Sequence, residues 1–447
     1  MDIHANNPGT FYQTPHLDQL AAEGMRFTAA YAAGPVCSPT RASILTGKYP
    51  ARLQLTDFIK GTKTGKMLPA DSRDYLRLQE TTLPEALKEA GYTTGLIGKW
   101  HLGGAGYLPE AQGFDVNIGG SGAGSPSSYF SPYHLAKIAD GPKGEYLTDR
   151  LTEEAINFIT ENSHRPFFLY LSHYGVHIPL QAPRTLVAKY EEKAAALPIG
   201  AAKFQAEGQN ETRQVQDHPT YAAMVESLDN SVGRIMQELK KLGLAENTVL
   251  VFFSDNGGLS TAEGSPTSNA PLRAGKGWLY EGGIRVPLLV KWPGRSLAGG
   301  VSDFPVTSTD FYPTFLEMAG LPLRPEQHCD GISLAPFLRH GWEPVREAIF
   351  WHYPHYSNQG GRPACAVRAG DWKLIRSLED DTAQLFNLKD DIGERQNQAA
   401  AMPEKAAALN RLLDHFLKDT EAALPKENPE EKIVKTTVPS HLPVKHL

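Results

Sequence analysis

Three features of the 447-residue sequence predict an α/β fold, with a mostly parallel sheet sandwiched by helices and a smaller α+β domain at the carboxyl end. Apolar runs such as 166–172 (PFFLYLS) and 248–253 (TVLVFF) have the continuous pattern of strands buried on both faces. These runs alternate with amphipathic helical spacing, at 151–159 and 221–242, which places helices on both faces of a sheet. After residue 335 the alternation gives way to short strands and one helix, so the expected divisions are 1–335, 336–424 and a loosely ordered Lys-, Glu- and Pro-rich tail at 425–447.

Along the chain, 20–24 reads as a short helix with a glycine stop and 25–31 as a strand. Next comes VCSPTRASILTG, where Ser38 is placed to cap a helix, Pro39 suits its first turn and Gly47 ends it. Cys37 then sits at the positive end of that helix. Such an end activates a nucleophile and receives an anion; a small buried thiol beside a cap is the plainer reading. Arg41, one turn on, can brace Cys37.

Residues 51–80 are polar and irregular and read as a surface excursion. Thr82-Leu83-Pro84 begins a helix that stops at Gly91, and the strand at 92–97 delivers Lys99 and His101. The Gly/Ser-rich run 119–128, followed by aromatics and His134, is a loop of the kind that lines a site. Strand 166–172 delivers His173 and His177, and strand 248–253 delivers Asp255 and Asn256. In open α/β sheets ligands bind beyond the carboxyl ends of strands, so Lys99, His101, His177, Asp255 and Asn256 are expected to converge. A glycine-rich loop holding Lys276 precedes a strand at 286–291 and a helix at 309–319.

A formal charge of -6 and a pI near 6.2 argue against nucleic acid as a partner and require any anion-binding charge to be local. Three cysteines, Cys37, Cys329 and Cys365, do not make a disulfide framework. No apolar run is long enough to span a bilayer, and MDIHANNPG lacks the regions of a signal peptide. The expected location is cytoplasmic for the chain as it stands, or periplasmic or secreted if a signal peptide precedes it.

Cys37-Ser38-Pro39-Thr40-Arg41 with the following ASILTG closely resembles the signature of the type I sulfatases, the arylsulfatase-like branch of the alkaline phosphatase superfamily. Further strings follow in that family's order: GKWHLG at 98–103, VHIPL at 176–180, SDNGG at 254–258 and GKG at 275–277. The resemblance implies that a formylglycine-generating maturation enzyme oxidises Cys37, whose hydrated aldehyde is the nucleophile, and that Arg41 holds it. By the same resemblance Lys99 contacts sulfate, His101 assists the nucleophile, His177 lies near the leaving oxygen and Lys276 bridges sulfate and ester oxygen. Asp255, Asn256 and the modified residue 37 would ligate Ca2+, a hard cation that takes oxygen donors. His173 is open between substrate contact and a supporting or capping role.

The chemistry expected is attack on a sulfate monoester, which requires an anion hold, a nucleophile and a proton for the leaving oxygen. His352, His355 and Arg362, set among aromatics, suit a sulfated sugar, and a packed domain interface accounts for them nearly as well. One departure stands out. Resembling sulfatases begin with a buried strand ending in two metal-binding aspartates, and this sequence opens just after that point; Asp2 matches a later aspartate. The expectation is therefore a start internal to the reading frame, or a fragment, with neighbouring strand edges left open. A phosphate or phosphonate monoester hydrolase of the same superfamily and an inactive binder of sulfated glycans are the alternatives.

Overall fold

The structure, a computed structural model, describes residues 3–61, 63–198 and 202–430. Asp2 and residues 431–447 of the expected tail lie outside the described residues. The helices that matter here are α1 (Pro15–Glu23), α2 (Cys37–Thr46), α3 (Leu83–Glu89), α4 (Leu147–Glu161), α5 (Pro219–Lys241), α6 (Phe311–Met318) and α7 (Pro403–Asp419). The strands are β1 (Met25–Tyr31), β2 (Thr93–Gly98), β3 (Val116–Ile118), β4 (Phe167–Ser172), β5 (Leu250–Phe253), β6 (Arg285–Lys291), β7 (Gly300–Ser302), β8 (Ile349–Tyr353), β9 (Ala364–Ala369), β10 (Trp372–Ser377) and β11 (Ala383–Asn387).

The larger body, before residue 335, is built on two main sheets. In the first, of order β7-β1-β6-β5, β1 pairs parallel with β7 and antiparallel with β6, which is also antiparallel to β5. The second, β3-β2-β4, is wholly parallel. The reversal of β6 has a simple cause: the loop from Ser254 to Ile284 leaves β5 and returns at the same end of the sheet, so the strand it feeds runs backwards. Helices cover both faces. Along β6, Leu288 and Val290 pack with Ile44 of α2 and Phe311 of α6, while Leu289 packs with Leu17 and Leu20 of α1, the alternation a strand imposes.

The apolar runs that form β4 and β5 are half-buried rather than enclosed. Each is the edge of its sheet, and all their residues line one cavity of about 1250 Å³ lying between them. Its roof includes Val225, Val232 and Ile235 of α5, and it reaches Lys99, Asp255 and Lys276 at one end.

Beyond residue 348, β8-β9-β10-β11 form an antiparallel meander with α7 on one face, through Leu409, Leu413 and Phe416. The other face, with Trp351, Tyr353 and Phe386, packs on Tyr31, Val36 and Leu279 of the larger body. Phe337 and Leu338, just beyond the expected division at 335, pack under β1 with Phe27. Lys426–Glu427 pairs with Met67–Leu68, so the first residues of the expected tail are seated. The 51–80 segment is also less superficial than expected: Leu53, Leu55, Asp57 and Leu76 are buried.

Two of the three residues expected in a sugar pocket are internal. His352 donates from Nε2 to Ala423 O at 2.8 Å, and His355 Nε2 lies 2.8 Å from Thr56 Oγ1. Burial pushes His352 down to about 4 and His355 to about 3, so both stay neutral in the folded state. Their contribution to stability is intact above the ordinary histidine value of 6.5 and is lost as pH falls from there, where the unfolded chain gains protons first. The double variant His352→Gln/His355→Gln is expected to lose less Tm than the wild type between roughly pH 7 and pH 5. Equal losses in scanning calorimetry would contradict this assignment.

Candidate active site

The site is assembled by the carboxyl ends of strands, as expected, and by the start of α2. After β1 the chain is pinned as it turns: Gly34 and Thr40 exchange hydrogen bonds of 3.2 and 3.1 Å, and Ala33 N donates to Ser308 Oγ at 3.0 Å. Helix α2 begins at Cys37 itself, with Val36 at the N-cap in extended backbone. Ser38 does not cap; its hydroxyl donates to His101 O at 2.9 Å, tying α2 to the end of β2. Gly47, at φ 69°, ends the helix as anticipated.

Cys37 is 4% exposed, and its Sγ lies 3.3 Å from His101 Nδ1. Burial alone would raise its thiol, but Lys99, His101 and Lys276 outweigh it and hold the thiol well below the usual range. Gly98 delivers Lys99 and His101: its φ is +104°, and a Cβ there would stand 2.0 Å from Ser172 O, so only glycine lets β2 close on β4. Lys99 N then donates to Ser172 O at 2.6 Å. On the other side of the ring, a Cβ at Gly124 would lie 2.6 Å from His101 Cε1, so the Gly/Ser-rich loop lies directly against it.

Arg41 does not reach Cys37 by hydrogen bond. Its Nε and NH2 both donate to Asp255 Oδ2 at 2.8 Å, and NH1 donates to Lys99 O at 2.9 Å and to Ser172 Oγ. Against the cost of burial, Arg41, Lys99 and Lys276 pull Asp255 down to about 2. Lys276 is fixed through its backbone: its N–H donates to Gly258 O at 3.0 Å, and Gly277 N donates to Pro35 O at 2.9 Å. Lys99 and Lys276 are 3% and 9% exposed, yet neither ammonium has a hydrogen-bond or ion-pair partner among the described residues.

His177 Nδ1 lies 2.9 Å from Ile178 O, and since a carbonyl only accepts, Nδ1 carries the proton and Nε2 the lone pair. Burial, then Lys276 and Lys99, push His177 down to about 3. His173 turns away, its Nε2 3.0 Å from Ser231 Oγ of α5, and burial pushes it down to about 4. Arg362 is exposed and pairs with Glu379 at 3.1 Å. The structure thus gathers Cys37, Arg41, Lys99, His101, His177, Asp255 and Lys276, and leaves His173, His352, His355 and Arg362 outside that group.

Sequence reading missed Asp57. It is buried, Oδ1 accepts from Phe58 N at 2.8 Å and from Tyr353 OH at 3.1 Å, and burial pushes it up to about 7. The charge of Cys37 acts on both Asp57 and Tyr353, which places them around the same centre. The available signal was Leu53-x-Leu55-x-Asp57, an inward alternation inside a stretch read as surface.

For a metal, the fit is in kind but not in number. Asp255 Oδ1 and Asn256 Oδ1 accept no hydrogen bond among the described residues, which leaves two hard oxygens at the end of β5. Calcium takes six to eight oxygens. No group of three or more His, Cys, Asp or Glu among the described residues could hold an ion. No described helix is long and apolar enough to cross a membrane.

A family model described as Sulfatase matches residues 1–321, and one described as N-sulphoglucosamine sulphohydrolase, C-terminal, matches 274–422. A protein named Sulfatase from Formosa agariphila is 32% identical, covering 88% of this chain and 80% of its own. Human N-acetylgalactosamine-6-sulfatase is 30% identical, covering 93% and 82%. The crystal structure of Ps i-CgsB in complex with k-i-k-neocarrahexaose is 29% identical, with a TM-score of 0.76 over 97% of this chain and 93% of that one.

The charges around Cys37 give a direct test on protein whose cysteine is unmodified. Lys99→Met is expected to raise the apparent pKa of Cys37 alkylation by iodoacetamide by at least about one unit. An unchanged pH profile, followed on the Cys37 peptide by mass spectrometry, would show that Lys99 does not face the thiol.

Proposed function

Because this chain belongs to the sulfatase family, enzymes that hydrolyse sulfate esters, we propose that it cleaves sulfate monoesters of a carbohydrate with a formylglycine made from Cys37. One observation carries this reading: two buried lysines without partners among the described residues, Lys99 and Lys276, act on the residue at the start of α2. Buried cations are costly unless paired, so the site is built for an anion. The sulfated-sugar names of similar proteins support a carbohydrate as the ester's alcohol.

The chain's own residues divide the work. Lys99 and Lys276 hold the sulfate by charge-assisted hydrogen bonds, aided by the N–H groups at the start of α2. His101, 3.3 Å from the side chain at 37, is placed to take the nucleophile's proton. His177 keeps its Nδ1 proton on Ile178 O and offers a lone pair at Nε2, so Lys276 is the group with a proton for the leaving oxygen. Arg41 binds Asp255 and fixes its orientation.

Once formed, formylglycine would supply a geminal diol as nucleophile, and a calcium ion, for which Asp255 and Asn256 would provide two of the oxygen donors, would supply Lewis acidity toward the substrate. The cavity between β4 and β5, flanked on both sides by strand edges, reaches Asp255 and Asn256.

The test is co-production with a formylglycine-generating enzyme, mass analysis of the peptide holding residue 37, and turnover of 4-nitrophenyl sulfate and phosphate with added calcium. Conversion at 37 with sulfate preferred is expected, and Lys276→Ala should lower kcat by roughly 10²–10³. Preference for phosphate would favour the phosphate or phosphonate hydrolase, and binding of a sulfated oligosaccharide without turnover would favour the inactive binder.

A further inference from the structure

The search beyond the reacting groups leads to a cluster of fully buried charge at the junction of the two domains. Lys373, on β10 of the C-terminal domain, is 0% exposed. Its Nζ lies 2.9 Å from Glu281 Oε1 and 2.9 Å from Glu394 Oε1, and both carboxylates are also wholly buried. Glu394 Oε2 accepts from Glu281 N at 2.6 Å, and Glu394 O accepts from Arg273 NH1 at 2.8 Å. Glu281 and Arg273 flank the loop that carries Lys276, and Gly282 N donates to Arg273 O at 2.9 Å to close its base.

The same carboxylate reaches the other arm of the site. Glu281 Oε2 accepts from Tyr31 OH at 2.7 Å, and Arg368 of β9 donates to the same hydroxyl. Tyr31 ends β1, and the chain after it runs through Pro35, which accepts from Gly277 N, to Cys37. Trp351 of β8 also donates to Ala32 O at 2.8 Å. The base of the Lys276 loop and the approach to Cys37 are therefore held on one buried carboxylate whose ionic partners are Lys373 from the other domain, at 2.9 Å, and Arg285 of β6, at 3.3 Å.

Stability alone gives no reason for this arrangement, because apolar residues of similar volume usually replace buried ion pairs at no cost or with a gain. What ions and hydrogen bonds add over apolar packing is a fixed geometry. We propose that Lys373 is a positioning residue: through Glu281 and Tyr31 it sets the placement of Lys276 relative to residue 37, making the C-terminal domain part of the anion-binding apparatus. This deepens the sulfatase reading of the site and rests on it for its catalytic consequence.

Lys373→Met/Glu281→Gln/Glu394→Gln removes the three ions around the lysine and leaves Arg285, 3.3 Å from Glu281 Oε2, without that carboxylate, whereas Tyr31→Phe removes one hydroxyl link alone. In the matured enzyme both are expected to lower kcat on 4-nitrophenyl sulfate with KM within about threefold, the triple variant by at least about tenfold and Tyr31→Phe by about threefold. On protein retaining Cys37, the ratio of iodoacetate to iodoacetamide alkylation at a fixed pH reads the cationic surroundings of the thiol independently of its ionised fraction. That ratio is expected to fall at least about threefold in the triple variant and measurably in Tyr31→Phe. Variants that fold with both kcat and ratio unchanged would reduce the cluster to a domain joint and overturn the proposal. If the triple variant does not fold, the Tyr31→Phe ratio decides. Lack of sulfate-ester turnover by the wild type would fail the functional reading, while the alkylation ratio would still judge the positioning.

Discussion

The contact on which the site depends is the buried ion pair between Arg41 and Asp255. A helix and the ends of three strands, β2, β4 and β5, meet there, because the same guanidinium also binds Lys99 O and Ser172 Oγ. Arg41 sits one turn into α2, so fixing its head fixes the start of that helix and the side chain at 37. A lysine has one ammonium where this arrangement uses three separate guanidinium nitrogens. Removing Asp255 would leave a buried cation among other cations; removing Arg41 would leave a buried carboxylate and three loose strand ends.

Local charge is the second organising fact. The chain is net acidic, yet Arg41, Lys99 and Lys276 concentrate on one cleft with Asp255 as the carboxylate they share. That imbalance depresses the Cys37 thiol, adds to the burial that keeps His177 neutral and leaves two ammonium groups without partners among the described residues. A monoanionic ester would complete the set, and the same field would draw it inward from solvent.

Much of this was legible in the sequence because it rests on local rules. Strand ends delivering Lys99, His101, His177 and Asp255 follow from apolar runs and glycine stops, and the α2 start follows from the string around Cys37. What was not legible depends on contacts far apart in the chain. Ser38 looked like a cap because nothing local shows that His101 O will claim its hydroxyl. His352 and His355 looked like sugar ligands because aromatic neighbours suit a pocket and a packed interface equally, and their partners are Ala423 and Thr56. Asp57 was hidden by the polar residues around it. The antiparallel course of β6 depends on where a long loop returns, which periodicity does not encode.

The cavity between β4 and β5 also bears on how the chain behaves in company. Each flank presents a row of backbone N–H and C=O groups with no neighbouring strand among the described residues, next to half-buried Phe167, Leu169, Val251 and Phe253. Such edges accept extended segments from any source, including another copy. Both rows are roofed by α5, so what can reach them is governed by that helix and not by the charge on the outer surface.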